Sequence, residues 1–168
     1  MFHGELDKEI YELFYANTGT EYTGTIIEAG AADGIRLTNS KFFEDELGWN
    51  VILLEPHPNS YKQLIENRPN SVCLNYALSN CRNTVAFNLE RDPVRSHFGS
   101  KMNRRHRGSV EVKTIVYDDI FAHVEVDHVD VMILDVESHE PEVLKGMIGT
   151  HLWPDVFCIE MCHLEKKV

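Results

Sequence analysis

Apolar residues along this 168-residue chain fall into two rhythms. Short runs rich in β-branched residues at 25–28, 51–54, 72–76 and 155–160 predict strands. The run at 129–134 is nearly continuous, the mark of a central strand buried on both faces. Residues 85–89 and 110–116 alternate apolar and polar, as further strands do. Between these runs the spacing turns helical. Leu6, Ile10, Leu13 and Phe14 stand at i, i+4, i+7 and i+8, a stripe suited to packing over one edge or end of a sheet. Residues 37–47 carry Phe42, Phe43 and Leu47 and are stopped by Gly48. Shorter helices are expected at 60–67 and 117–121. The last, at 139–147, would have Ser138 as N-cap, Pro141 in its first turn and Gly146 or Gly149 near its stop. Strands alternating with helices predict an α/β fold, a doubly wound and mostly parallel sheet in the order 3-2-1-4-5, with ligands along the C-terminal edge. One domain over residues 1–168 is expected, its N-terminal segment 1–20 helical and packed on the sheet.

The first strand carries the clearest chemistry. It runs from Thr25 into Glu28-Ala29-Gly30-Ala31-Ala32-Asp33-Gly34, a turn of small residues that a ligand can approach closely. Glu28 closes this strand and Glu55 closes the next, where Glu55-Pro56-His57-Pro58 is held extended by its prolines. Two acids at the tips of successive strands suit a ligand with an ammonium group and a ribose diol, as in S-adenosylmethionine. A dinucleotide would require G-x-G-x-x-G, and only Gly30 of that pattern is present, with Ala32 and Ile35 at the other two positions. Glu28 would also face a pyrophosphate with the wrong sign. A ligand-free strand-to-helix turn explains a Gly-Ala turn by itself; Glu55 favours the ligand.

Composition narrows the partners. Sixteen Lys plus Arg against 27 Asp plus Glu, net charge −11, disfavours general binding to nucleic-acid backbones. Cys73, Cys81, Cys158 and Cys162 lack zinc or disulfide spacing and suit free thiols in a reducing cytoplasm. No window approaches the ~20 apolar residues of a membrane span, and the first residues lack a signal-peptide layout, so a cytoplasmic location is expected. Against the acidic background, residues 91–107 hold Arg91, Arg95, Lys101, Arg104, Arg105 and Arg107 with the single acid Asp92. The stretch is either a solvated loop or a substrate loop in which Arg95, His97, Arg104 and Arg105 attract phosphate or carboxylate groups.

Taken in order, Glu28-Ala-Gly-Ala-Ala-Asp-Gly34, Gly48-Trp49, Glu55-Pro56-His57-Pro58, Asn67-Arg68-Pro69, Asn75-Tyr-Ala77-Leu-Ser79, Leu134-Asp135-Val136-Glu137-Ser138-His139-Glu140 and Val143-Leu144-Lys145-Gly146 resemble the FkbM-type methyltransferases. The resemblance spans about residues 24–163. It implies an S-adenosylmethionine-dependent O-methyltransferase acting on hydroxyls of sugars, glycans or secondary metabolites. Carried over, Glu28, Gly30 and Ala32 line the methionine end, with Asp33 and Gly34 in the same turn and Asp135 nearby. Glu55, beside Pro56, takes the ribose, and Ala77 with Leu78 takes the adenine. Three departures stand out: Ala32 replaces a usual Asn, Ser138 replaces a usual Gly, and the chain stops where such folds commonly continue into two more strands. A left-handed residue at 138 would cost Ser about 1 kcal/mol or more, so either that turn is not left-handed or Ser138 caps the helix.

A hydroxyl needs a base as it becomes a nucleophile. Asp135, at the tip of the central strand, is the first candidate; Glu137, His139, Glu160 and His163 are the others, with a supporting role the plain alternative for His139. Asp135, Glu137 and Glu160 could instead gather Mg²⁺ or Ca²⁺, although a metal is not expected. The rival readings are a cofactor-binding protein of the same fold that is impaired or incomplete, and a nicotinamide-dependent oxidoreductase. The strand at 155–160 would form an edge, covered either by a homodimer through residues 155–161, the favoured solution, or by the N-terminal segment 1–16.

Overall fold

The structure is a computed structural model, and it describes residues 5–19, 21–90, 96–98 and 108–160. In chain order the elements are α1 (Glu5–Ile10), a π-helical turn (Tyr11–Tyr15), β1 (Thr25–Ala29), α2 (Lys41–Leu47), β2 (Asn50–Leu54), α3 (Pro58–Asn67), β3 (Val72–Leu74) and β4 (Ala77–Leu78). There follow β5 (Asn83–Asn88), β6 (Ser109–Ile115), a 3₁₀ helix (Tyr117–Ala122), β7 (Val131–Leu134), α4 (Glu140–Gly146) and β8 (Val156–Ile159). Five strands form one parallel sheet in the order β3-β2-β1-β7-β8, the 3-2-1-4-5 arrangement expected from the pattern.

Successive strand residues face opposite sides, and the register sorts them into two cores. Ile26, Val51, Leu53, Val131 and Ile133 pack with Phe43, Trp49 and Leu64 on one face. Ile27, Ile52, Leu54, Met132 and Leu134 pack with Tyr117, Ile120, Val143 and Met147 on the other. Both faces are covered, which is why these strands read as continuous apolar runs rather than alternating ones.

The second sheet was not legible as such. β4, β6 and β5 stand apart from the main sheet, with β4 parallel and β5 antiparallel to β6. The run expected as one strand over 72–76 therefore ends at Leu74 and resumes as β4 in the other sheet. The helix expected over 37–47 starts only at Lys41, because Leu37 is left-handed (φ 57°) and Thr38 and Ser40 are hydrogen-bonded to Glu28. The helix expected at residue 60 starts earlier, at Pro58, because the His57 side chain caps it: Nδ1 accepts the Asn59 and Ser60 N–H groups at 3.2 and 3.3 Å.

β8 ends the main sheet among the described residues. Ile10 and Tyr15 are buried in the core that includes Val156 and Cys158, and the Tyr15 hydroxyl donates to the Asp130 carbonyl at 3.2 Å. The N-terminal segment is thus anchored by Ile10 and Tyr15, whereas Leu13 and Phe14 of the expected packing stripe are exposed. No helix among the described residues is long and apolar enough to cross a membrane.

Candidate functional site

The C-terminal tips of β1, β2 and β7 meet in one place. After β1 the chain turns at Gly30 (φ 93°), where the Gly30 and Ala31 N–H groups donate to the Leu54 carbonyl at 2.9 and 3.1 Å. A Cβ on Gly30 would lie 1.8 Å from the Asp135 carbonyl oxygen. The β1 turn is thus in backbone contact with the β7 tip, and only glycine permits it. Ala32 is itself left-handed (φ 48°), and its N–H donates to Glu55 Oε2 at 2.9 Å. Glu55 Oε1 accepts the His57 N–H at 2.7 Å. Burial pushes the Glu55 carboxyl up to about 7, against the lowering effect of these two hydrogen bonds.

Around these tips lies an open cleft, walled on one side by the strand tips and on the other by Tyr76, Phe87 and Phe98. Of the residues expected to hold a cofactor, Gly30, Ala32, Glu55, Pro56, Ala77, Leu78 and Asp135 line it. Glu28, Asp33 and Gly34 do not. Asp33 Oδ1 accepts the N–H groups of Ile35 and Arg36 at 3.0 and 2.8 Å, and Gly34 (φ 76°) sits against the Leu64 and Arg68 side chains. Both shape the turn from behind.

Glu28 stands apart from the cleft. Alternation along β1 puts it on the face of Ile26, under α2, while the cleft opens beside Ala29 on the other face. There it is 2% exposed. Its Oε2 accepts the hydroxyls of Thr38, at 2.8 Å, and Ser40; its Oε1 accepts the Asn39 N–H at 2.8 Å. Arg68, fully buried, donates to Thr38 Oγ1, Ser40 Oγ and the Gly34 carbonyl, each at 3.3 Å, and pairs with Glu44 through Nε. Glu28 anchors a buried polar network that fixes the loop from Gly34 to Ser40.

At the β7 tip, ligand atoms of Asp135, Glu137 and Glu160 all lie within 4.8 Å of one another. Asp135 is pushed up to about 8, chiefly by burial, then by its hydrogen bond with Glu160 and the charges of Glu160, Glu137 and Glu140. Such a group can share and transfer a proton, and the same three oxygens suit a hard cation. Glu137 (φ 53°) and Ser138 (φ 77°) are consecutive left-handed residues. Ser138 therefore adopts the backbone that glycine favours and is not the N-cap of α4; that position belongs to His139, whose side chain makes no capping bond.

His139 stands outside the cleft lining. Its Nε2 is 3.0 Å from Ser79 Oγ, its ring packs on Phe98 (centroids 4.6 Å apart), and burial lowers its pKa. Phe98, on the cleft wall, packs edge-on against Phe87 of β5 at 5.1 Å. His163, Arg95, Arg104 and Arg105 lie outside the described residues. His97 does not line the cleft; it forms an antiparallel bridge with Asn88 that seats its neighbours Ser96 and Phe98 in the wall. Ser96, Phe98, Phe87, Tyr76 and Val136 line the cleft without having been singled out in the sequence. Tyr76 and Val136 fall inside the family-like motifs and Phe87 inside the alternating run of β5, while Ser96 and Phe98 carried no signal.

Residues 28–168 match the family described as Methyltransferase FkbM domain. The chain is 33% identical to the Hexuronic acid methyltransferase AglP of Haloferax volcanii, over 70% of this chain and 56% of that protein. It also superposes on the crystal structure of Methyltransferase FkbM from Methylobacillus flagellatus KT with a TM-score of 0.49 and 14% identity, over 80% of this chain and 32% of that one. The chain thus spans about half the length of the curated relative it matches.

Proposed function

The chain belongs to the FkbM methyltransferase domain family, and from that premise we propose that it transfers a methyl group from S-adenosylmethionine to a hydroxyl of a carbohydrate, with hexuronate-bearing sugars as the first acceptor class. The observation that carries the reading is one cleft holding two different acids, Glu55 at the tip of β2 and Asp135 at the tip of β7. The acceptor class takes its support from the printed name of the 33%-identical relative.

The donor set of the cleft fits the cofactor. Glu55 lines it as a carboxylate whose bonded partners are both backbone N–H groups, which leaves lone pairs for a diol. Ala77, Leu78 and Pro56 offer apolar surface to a base, and the acid Glu137 lines the same cleft for a cationic end. When bound, S-adenosylmethionine supplies an already activated methyl group, so the chain has to bind, orient and deprotonate the acceptor.

Asp135 is the group for the last task. It takes the proton of the acceptor hydroxyl on its carboxylate, and its raised affinity for a proton makes it a stronger base than an ordinary aspartate. Glu160, hydrogen-bonded to it, stabilises the proton on the pair, and Glu137 lines the same wall. His139, behind Phe98, supports that wall without reaching the reacting atoms.

A second reading gives Asp135, Glu137 and Glu160 a divalent cation, which would acidify a bound hydroxyl; their mutual distances favour it. Isotope-labelled S-adenosylmethionine offered with uronic acids, nucleotide sugars and glycolipids tests the main reading: label should enter a sugar ether. Turnover that survives a chelator assigns the acids to proton transfer. Turnover restored only by Mg²⁺ or Mn²⁺ assigns them to the metal. No labelled product from any sugar would overturn the acceptor class.

A further inference from the structure

The turn at the tip of β7 is held in an unfavourable conformation, and one side chain accounts for it. Glu137 and Ser138 have φ values of 53° and 77°, a backbone region that L-residues adopt reluctantly because Cβ crowds the neighbouring carbonyl. Two such residues in succession persist only where their surroundings determine them. Glu140, in the first turn of α4, is 7% exposed. Its Oε1 accepts the Val136 N–H at 3.0 Å and the Ser138 N–H at 3.3 Å, one bond on either side of Glu137. α4 is a firm support for this clamp. Val143 and Met147 are buried in the core, and a Cβ on Gly146 would come within 2.3 Å of the Ser79 carbonyl, so the helix lies directly on the chain after β4.

We propose that Glu140 is a positioning residue whose carboxylate clamps the left-handed turn at the tip of β7 and so sets Asp135, Val136 and Glu137 in the wall of the cleft. This rests on the cofactor reading above only for its effect on binding; the clamp itself is a property of the backbone. The mechanism gives Glu140 no contact with the reacting atoms, and two bonds of its buried carboxylate end on this turn. Its two acceptor bonds explain why a serine is tolerated where the resemblance predicts glycine. The carboxylate holds from outside what a glycine would allow from within.

Two measurements test it on the full chain. The first is hydrogen exchange by NMR. Glu140→Ala should lower protection of the Val136 and Ser138 amides by about tenfold or more, as loss of a charged acceptor does, and leave Met132 and Ile133 in β7 unchanged. The second is calorimetric affinity for S-adenosylhomocysteine, measured well below each variant's Tm. Glu140→Ala should weaken binding by about tenfold. Glu140→Gln, which keeps an acceptor oxygen, should stay within about threefold of wild type. The double variant Glu140→Ala with Ser138→Gly should recover most of the loss, because glycine takes the left-handed backbone without help. Unchanged exchange at Val136 and Ser138 would overturn the clamp. Affinity lost in Glu140→Ala and not regained with Ser138→Gly would overturn the positioning role. Wild-type protein that fails to bind S-adenosylhomocysteine would count against the cofactor reading instead, and the exchange result would still decide the clamp.

Discussion

Glu55 accepts the backbone N–H of Ala32 at 2.9 Å, so the acid at the tip of β2 holds the left-handed turn at the tip of β1. The same carboxylate accepts the His57 N–H at the entrance to α3. Two neighbouring loops that line one cleft are thereby tied to a single buried side chain. A ligand that bonds to Glu55 would meet a group already fixed in place, which lowers the ordering cost of binding.

Gly30 and Gly48 separate backbone strain from lack of space. Both have positive φ, at 93° and 66°, but a Cβ on Gly48 would meet nothing within 4 Å, whereas one on Gly30 would run into the Asp135 carbonyl. Gly48→Ala should cost about 1 kcal/mol of stability, the price of the left-handed backbone alone. Gly30→Ala should cost more than about 3 kcal/mol, since overpacking adds to the strain. Denaturant unfolding of the two variants reads the difference. Equal losses would show that the β1 turn and the β7 tip are not in rigid contact.

Glu28 should behave as part of the framework. Glu28→Gln disturbs acceptance from Thr38, Asn39 and Ser40 and should lower unfolding free energy by roughly 2 kcal/mol, as loss of charged hydrogen bonds does. The folded variant should bind S-adenosylhomocysteine within about threefold of wild type. Full stability with affinity lost would return Glu28 to a direct ligand contact.

The proposed role of Asp135 as the base links activity to pH. Its carboxyl is raised from an ordinary 3.8 to about 8, so the folded state binds this proton more tightly than the unfolded chain. Its stabilising contribution is full below about pH 4 and is lost as pH rises through 8. Asp135→Asn keeps the shape without the charge. The variant should match wild type near pH 4 and exceed it in stability above pH 8, while methyl transfer falls by two orders of magnitude or more, roughly the value of a general base. In wild type, kcat/KM should climb with pH toward a plateau above about 8. Stability curves of equal slope for the two proteins would contradict the raised proton affinity.

The main sheet was legible because five apolar runs separated by helical spacing leave few arrangements, and Val131–Leu134, buried throughout, announced its central place. What stayed hidden depends on facts that no local pattern carries. Alternation shows that Asn83–Asn88 and Ser109–Ile115 are strands, but not that they leave the main sheet with Ala77–Leu78. Glu28 and Glu55 look alike as acids closing strands; only the register, which sends Glu28 to the α2 face, shows that its lone pairs are used by Thr38, Asn39 and Ser40. A positive φ at Ser138 is invisible when the residue is not glycine. Phe98 enters the cleft from a segment with no regular period, so nothing in its neighbourhood marks it.

The central claim is that the cleft at the tips of β1, β2 and β7 binds S-adenosylmethionine through Glu55, and titration calorimetry of wild type and Glu55→Ala with S-adenosylmethionine and S-adenosylhomocysteine tests it most directly. The account expects saturable one-to-one binding by wild type, no heat from NADH, and affinity weakened roughly 10- to 100-fold in the variant, the equivalent of a hydrogen-bonded charge. Equal affinity in the two proteins, or no binding by wild type, would contradict it.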